Sequence, residues 1–229
     1  MSFSTARTLA IISTVTAGLL FFGGRLSASR ALSLTVPNAE AAEPLASAPS
    51  KETAVFAGGC FWGIDAVFRR VKGVSSVSSG YAGGTRVAPD YDQVSSGTTG
   101  HTESVQVIFD PSVVTYSQLL QIFFSVHNPT ELNRQGPDHG TQYRSAVFYT
   151  SDAQKKSVDT YIAQMNRQKT FKDPIVTQVA PIDKFWAAED YHQNYFAGHT
   201  NQPYIVINDA PKVALLKKRF PSLYKEPLG

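Results

Sequence analysis

Residues 52–71 read ETAVFAGGCFWGIDAVFRRV, and the pattern of their apolar residues changes from that of a strand to that of a helix. Glu52–Ala57 is a β-like run that ends at a pair of glycines, whereas Phe61–Val71 places its apolar residues at helical spacing. A strand therefore passes into a helix through a glycine turn. Cys60, the one cysteine of the chain, lies at that junction.

The elements that follow predict an α+β domain. Further strands are predicted at Val74–Ala82, Glu103–Phe109, Ala146–Tyr149 and Ile175–Ala180, and further helices at Tyr116–Val126, from Ser151-Asp152 to about Lys169, and at Glu189–Phe196. The order β-α-β-β-α-β predicts a ferredoxin-like two-layer sandwich, in which helices pack on a mixed or antiparallel sheet. Gly83–His101 and His127–Arg144 are predicted as functional loops, because unstructured loops of that length are uncommon in compact domains.

The N-terminal part of the chain predicts a targeting leader or signal anchor over residues 1–36. No Asp or Glu occurs in the first 39 residues, which carry three arginines, and the apolar stretch within residues 8–24 is shorter than the ~20 apolar residues of a spanning helix. We favour a mitochondrial address, with the secretory pathway or membrane anchoring through residues 8–24 as the alternative. Residues 37–50, PNAEAAEPLASAPS, predict a linker, and residues 51–229 the folded domain.

Composition excludes several classes of function. The 21 basic and 18 acidic residues are too evenly balanced for a protein that binds nucleic acid by neutralising phosphates. One cysteine cannot form an internal disulfide or a thiolate-rich zinc site, and none of the five histidines has the spacing of a metal motif. We therefore expect no nucleic acid and no metal. We also expect a monomer and no cofactor.

Cys60 is the main candidate for chemistry. At the first turn of a helix, the backbone amides and the positive end of the helix dipole favour a thiolate over a thiol. A buried structural cysteine is the alternative, and position alone does not decide between the two.

Four motifs together are far more specific than that position. They are Gly59-Cys-Phe-Trp-Gly63, Gly80-Tyr-Ala-Gly-Gly84, Ser96-Gly-Thr-Thr-Gly-His-Thr-Glu103 and Gly136-Pro-Asp-His-Gly-Thr-Gln-Tyr-Arg-Ser145. With Ala188-Glu-Asp-Tyr-His-Gln193, they make the chain resemble peptide methionine sulfoxide reductases of the A class from about Val55 to about Asn201. The resemblance implies an α+β catalytic domain that reduces methionine-S-sulfoxide, in proteins and free, and so repairs oxidative damage.

The same resemblance implies roles for individual residues. Cys60 would be the nucleophile that becomes a sulfenic acid, and Glu103 would be the acid that protonates the sulfoxide oxygen. For Glu103 alone, a solvent-facing glutamate is the simpler interpretation.

Tyr91 and Tyr143 would donate hydrogen bonds to that oxygen, and Asp138 would organise the site. The adjacent aromatic residues Phe61 and Trp62 would bind the ε-methyl group of the substrate.

The chain departs from the family pattern in one respect. Many members carry further cysteines near the C-terminus that attack the sulfenic acid, whereas Lys212–Gly229 contains none and position 95 is a serine. Recycling by an external thiol is therefore implied, with thioredoxin or glutathione and glutaredoxin as partners beside the oxidised proteins or peptides that are the substrates.

Two other functions are compatible with parts of this pattern. A cysteine hydrolase would use Cys60 with His101 or His139 as the base. A non-catalytic domain would recognise oxidised methionine without turning it over, but the presence of both Cys60 and Glu103 argues against this alternative.

Overall fold

The computed structural model describes Met1 and residues 35–226. Most of the predicted leader, including its apolar stretch, lies outside these residues. In the part of the chain that is described, no helix is both long and apolar enough to cross a membrane.

A six-stranded sheet forms the centre of the domain. Its strands are β1 (Glu52–Gly58), β2 (Val74–Ala82), β3 (Thr102–Phe109), β6 (Ser145–Tyr149), β7 (Gln178–Pro181) and β8 (Trp186–Ala187), and a separate hairpin is made by β4 (Arg134–Gln135) and β5 (Asp138–His139). The order across the sheet is β7-β6-β1-β3-β2-β8, with β6 and β7 parallel and the other neighbours antiparallel. The central order β6-β1-β3-β2 confirms the predicted ferredoxin-like sandwich.

In the described part of the chain, six α-helices accompany the sheet. They are α1 (Phe61–Phe68), α2 (Tyr91–Ser95), α3 (Tyr116–Val126), α4 (Asp152–Arg167), α5 (Tyr195–Gly198) and α6 (Ala210–Arg219). Phe56 of β1 stacks on Phe68 of α1 and on Phe123 of α3, with ring centroids 5.1 and 4.9 Å apart. Burial of each such ring contributes roughly 1.5–3 kcal/mol, so this cluster holds β1 against two helices.

The opposite face of β1 is also covered. Val55 and Ala57 pack with Phe148 of β6, and Phe185 lies against this second cluster. Because both faces are buried, β1 is a continuous apolar run rather than an alternating one.

Some predicted elements differ from the observed ones. The single helix predicted at Glu189–Phe196 is a 3₁₀ turn (Asp190–His192) followed by α5, because Asn194 between them adopts a left-handed conformation with φ +51°. The strand predicted at Ile175–Ala180 begins three residues later, as β7. Helix α6 was not predicted.

Residues 36–46 form a strap over α3 and α4, although their composition suggests a linker. Val36 is buried, and the hydroxyl of Tyr161 donates a hydrogen bond of 2.6 Å to the carbonyl of Pro37. The Glu43 carboxylate accepts a hydrogen bond of 2.7 Å from the amide of Ser117 in α3. The strap has no helix or strand, but its polar groups fix it to the domain.

Candidate active site

Cys60 lies at the N-cap of α1, where β1 turns into the helix. Gly59 adopts φ +88°, and a Cβ at this position would come within 2.5 Å of the Gln135 side chain. The glycine therefore permits the turn and also the close approach of β4. The Cys60 side chain has little contact with solvent, at 7% exposure.

Glu103 is the second residue of β3 and lies beside Cys60. The carboxylate accepts a hydrogen bond of 3.0 Å from the amide of Phe61, the first residue of α1, and is only 2% exposed. Burial raises the pKa of Glu103 to about 8, and the hydrogen bond from Phe61 opposes this rise only in part. At neutral pH the carboxyl group is therefore mostly protonated and can donate a proton.

The thiol of Cys60 is held in its neutral form in this structure. Burial raises the pKa of Cys60 well above its usual value, and the negative charges of Glu103 and Asp209 raise it further. A hydrogen bond from the amide of Trp62 and the positive charge of Lys212 act in the opposite direction. The helix N-terminus favours the predicted thiolate, but the cost of burying a negative charge is larger, so the neutral thiol is the stable form.

Three other predicted residues converge on the same space from separate segments. Tyr91 begins α2, Asp138 begins β5, and Tyr143 ends a 3₁₀ turn. Burial raises the pKa of Tyr91 to about 12 and also raises that of Tyr143. The negative charges that Glu103, Asp138 and Cys60 would carry at the high pH where a phenol ionises raise both further. Both phenols are therefore neutral hydrogen-bond donors near the thiol and the acid.

An aromatic wall borders this space. Phe61 is buried and packs at 5.0 Å from the ring of His192, while Trp62 is half-buried and stacks at 3.9 Å on Tyr195. Such a wall can enclose a small apolar group next to a polar one.

Comparison with known proteins identifies the family to which this arrangement corresponds. The model of the peptide methionine sulfoxide reductase family matches residues 52–223. The chain belongs to this family. Peptide methionine sulfoxide reductase MsrA 2 of Mesorhizobium japonicum is 54% identical over 180 residues, covering 78% of this chain and 92% of that protein. MsrA of Polynucleobacter asymbioticus is 49% identical over 175 residues, which are 76% and 92% of the two chains.

Solved structures show the same fold. Mxr1 from Saccharomyces cerevisiae in reduced form is 32% identical with a TM-score of 0.61, covering 69% of this chain and 94% of that one. Methionine sulfoxide reductase A of Corynebacterium diphtheriae is 31% identical with a TM-score of 0.59, covering 72% and 83%. The protein is accordingly an oxidoreductase that reduces methionine sulfoxide.

Sequence reasoning missed several residues of this reductase site. The imidazole of His192 accepts a hydrogen bond of 3.1 Å from the indole of Trp62, and its ring lies 4.4 Å from that of Tyr91. Tyr204 donates a hydrogen bond of 2.5 Å to Asp138 and meets Trp62 edge-on. His192 belongs to the motif Ala188–Gln193, whereas Tyr204 lies in none of the motifs that carry the resemblance.

Glu189 positions Tyr91 and was also missed. One carboxylate oxygen accepts a hydrogen bond of 2.8 Å from the amide of Tyr91, and the other accepts one of 2.8 Å from the hydroxyl of Tyr81 on β2. The start of α2 is therefore tied to the sheet.

The geometry also bears on the alternative functions. The ring of His101 accepts a hydrogen bond from the amide of Gly84 and contacts the carbonyl of Arg86, so both ring nitrogens are occupied away from Cys60. A cysteine hydrolase with His101 as its base is not supported. Within Met1 and residues 35–226, no group of three or more His, Cys, Asp or Glu could hold a metal ion.

Proposed function

We propose that Cys60 reduces methionine sulfoxide by direct attack on its sulfur atom while Glu103 protonates its oxygen. The observation that carries this assignment is a buried carboxyl group with a pKa of about 8 beside a buried thiol. Glu103 gives its proton to the oxygen and takes up the proton that the thiol loses, so no net proton is consumed. The attack forms a bond between the two sulfur atoms. As this bond and the S–O bond of the substrate break, the protonated oxygen is transferred to the Cys60 sulfur, which becomes a sulfenic acid, and methionine leaves reduced by two electrons.

The other residues of the site would orient the substrate. Tyr91 and Tyr143 donate hydrogen bonds to the sulfoxide oxygen as negative charge develops there. Asp138 holds the polar side of the site through its hydrogen bond with Tyr204. Phe61 and Trp62 enclose the ε-methyl group, so that nucleophile, acid and methyl group fix three directions around the chiral sulfur.

External thiols would return the enzyme to its reduced state. Cys60 is the one cysteine in the sequence, so no second thiol of the chain can attack the sulfenic acid. One thiol condenses with the sulfenic acid to give a mixed disulfide and water, and a second thiol releases reduced Cys60. Thioredoxin, or glutathione with glutaredoxin, supplies that chemistry, and oxidised proteins, peptides or free methionine sulfoxide are the substrates.

Reaction with the two epimers of a methionine sulfoxide peptide tests the arrangement of the site. We expect reduction of the S epimer and no reduction of the R epimer with dithiothreitol as reductant. Equal rates for the two epimers, or preference for R, would contradict the proposed placement of the methyl group and oxygen.

The leader remains a separate proposal. A mitochondrial address for residues 1–36 rests on the absence of acids and on the three arginines in that stretch. Import of a reporter fused to residues 1–36 into isolated mitochondria would support it, whereas entry into the secretory pathway, or membrane retention through residues 8–24, would favour the alternative.

A further inference from the structure

A buried ion pair lies under the active site and has no part in the mechanism above. The ammonium group of Lys212 is 2.9 Å from the carboxylate of Asp209, and the two residues are 5% and 0% exposed. Both stand where a π-helical turn, Ile205–Asp209, passes into α6. Such turns are rare and occur frequently at functional sites.

The pair is pressed against the first turn of α1. A Cβ on Gly63 would lie 2.7 Å from the Lys212 nitrogen and 2.2 Å from an Asp209 oxygen. Gly63 is three residues after Cys60, so the ammonium group sits beneath the helical turn that presents the thiol. The absence of a side chain at position 63 is what lets this charge approach so closely.

Stability alone does not account for such a pair. Transferring two charges from water into the protein interior costs more free energy than a surface ion pair contributes. Apolar residues of similar size often stabilise an interior equally well. The second carboxylate oxygen of Asp209 has no hydrogen-bond partner among the described residues, so the pair is not fully compensated. These observations favour a role for the charge itself.

We propose that Lys212 is a positioning residue that stabilises negative charge on the sulfur of Cys60. The inference rests on the proposed role of Cys60 as nucleophile. Lys212 would act when the sulfur attacks the sulfoxide, and again during recycling, when a second external thiol breaks the mixed disulfide and Cys60 leaves with the electron pair as a thiolate. Asp209 would hold the ammonium group in place.

The charges around the sulfur act in both directions. The titratable groups that act on Cys60 or on Lys212 are Glu103 on β3, Asp138 on β5, Tyr91 on α2, Tyr143, Tyr204, His127, Asp209 and Lys212. Burial lowers the pKa of His127 to about 4, so this histidine is uncharged at neutral pH. The positive charge of Lys212 lowers the pKa of Cys60, against the larger opposing effects of Glu103 and Asp209.

The pH dependence of Cys60 alkylation by iodoacetamide tests the proposal without relying on reductase activity. Every thiol adduct reports Cys60, since the chain has no other cysteine, and peptide mapping separates it from slower adducts on other side chains. We would compare wild type with Lys212→Met, and Asp209→Asn with the double variant Asp209→Asn/Lys212→Met. The second comparison avoids an unpaired buried carboxylate, so it remains informative even where Lys212→Met alone fails to fold. Lys217→Met, on the exposed side of α6, is the matched control.

We expect loss of the Lys212 charge to raise the apparent pKa of alkylation by about one pH unit in both backgrounds, the size typical of a nearby opposite charge. Lys217→Met should leave the profile unchanged. A folded variant in either background whose profile does not move upward would overturn the proposal. Failure of the proposed catalytic role of Cys60 would be seen separately, as undiminished reduction by Cys60→Ser.

Discussion

At the scale of single residues, the central feature is that Cys60 and Glu103 occupy one buried space in which neither is favoured as an anion. Burial raises the pKa of both groups. The negative charge of Glu103 raises that of Cys60 further, whereas the thiol of Cys60 lowers that of Glu103 only in part, through a hydrogen bond. Both protons are therefore retained in the resting state, and Glu103 keeps the proton that the proposed reaction requires. The two groups titrate as a coupled pair, so the pH dependence of the rate belongs to both.

Glu103→Gln should separate the two groups. The amide keeps the shape but cannot donate a proton, so we expect the reductase step to slow by roughly 10²–10⁴-fold in a folded protein. In wild type, the acid is lost as pH rises through about 8, and the rate should fall over that range. In the variant, the rate should instead rise with pH as the Cys60 thiolate forms. Single-turnover rates from pH 6 to pH 10 provide the measurement.

The outcome that would contradict this account is an alkaline fall of the same size in Glu103→Gln. Another group would then be the acid, and Asp138 would be the next candidate because burial raises its pKa as well. Circular dichroism of the variant provides the control for folding.

Most of the proposed site residues were predictable from contiguous motifs, although Glu189 and His192, which lie in the motif Ala188–Gln193, were missed. Cys60, Glu103 and Tyr143 each lie within a motif that the resemblance uses. Tyr204 and Lys212 reach the site only because a C-terminal segment folds back beneath α1, and this depends on long-range packing. The buried state of the Cys60 thiol was likewise hidden, since a position on a helix does not reveal desolvation.

At the scale of elements, the long strands and helices show their periodicity in the sequence, whereas the packing of α6 against the turn between β1 and α1 does not. Periodicity identified β1, α1, β2, β3 and α3, because their apolar faces are long enough to show a period. The segment after β7 was poorly predicted, since short elements such as β8 and α5 are set by contacts with β2 and α1 rather than by local pattern.

Gly63→Ala tests the packing of α6 against α1. In an ordinary helix this change gains up to about 1 kcal/mol. Here the new methyl group would displace the Asp209–Lys212 pair, whose members are buried and cannot move into water, so we expect the free energy of unfolding to fall by about 1–3 kcal/mol. Urea unfolding provides the measurement. Gly198→Ala is the matched control, because nothing lies within 4 Å of its added methyl group.

A second element-level prediction concerns the strap of residues 36–46. Glu43 accepts hydrogen bonds from the amide and the hydroxyl of Ser117, in the first turn of α3, where a negative charge is favoured. Glu43→Gln should lower the free energy of unfolding by about 1 kcal/mol, as the loss of a helix cap does. Glu226→Gln, which alters an exposed ion pair, should have a much smaller effect. Equal effects would mean that the strap is not fixed through Glu43.

At the scale of the whole molecule, the defining property is a reductase domain with one thiol. The cysteine count was available from the sequence, and the ferredoxin-like order of strands could be predicted from the order of elements. The attachment of the strap could not be predicted, because its polar contacts join residues more than seventy positions apart. In the proposed reaction each chain is oxidised once by its substrate, at Cys60, and external thiols must reduce Cys60 before the next turnover.

The most direct test of this account is the intact mass and methionine yield of the enzyme after excess sulfoxide peptide without reductant. We predict one methionine per chain and a protein heavier by one oxygen atom on Cys60, which glutathione then converts to a mixed disulfide. Cys60→Ser should release no methionine. Two methionines per chain, or a full yield from Cys60→Ser, would contradict the assignment of Cys60 as a single nucleophile that is recycled from outside.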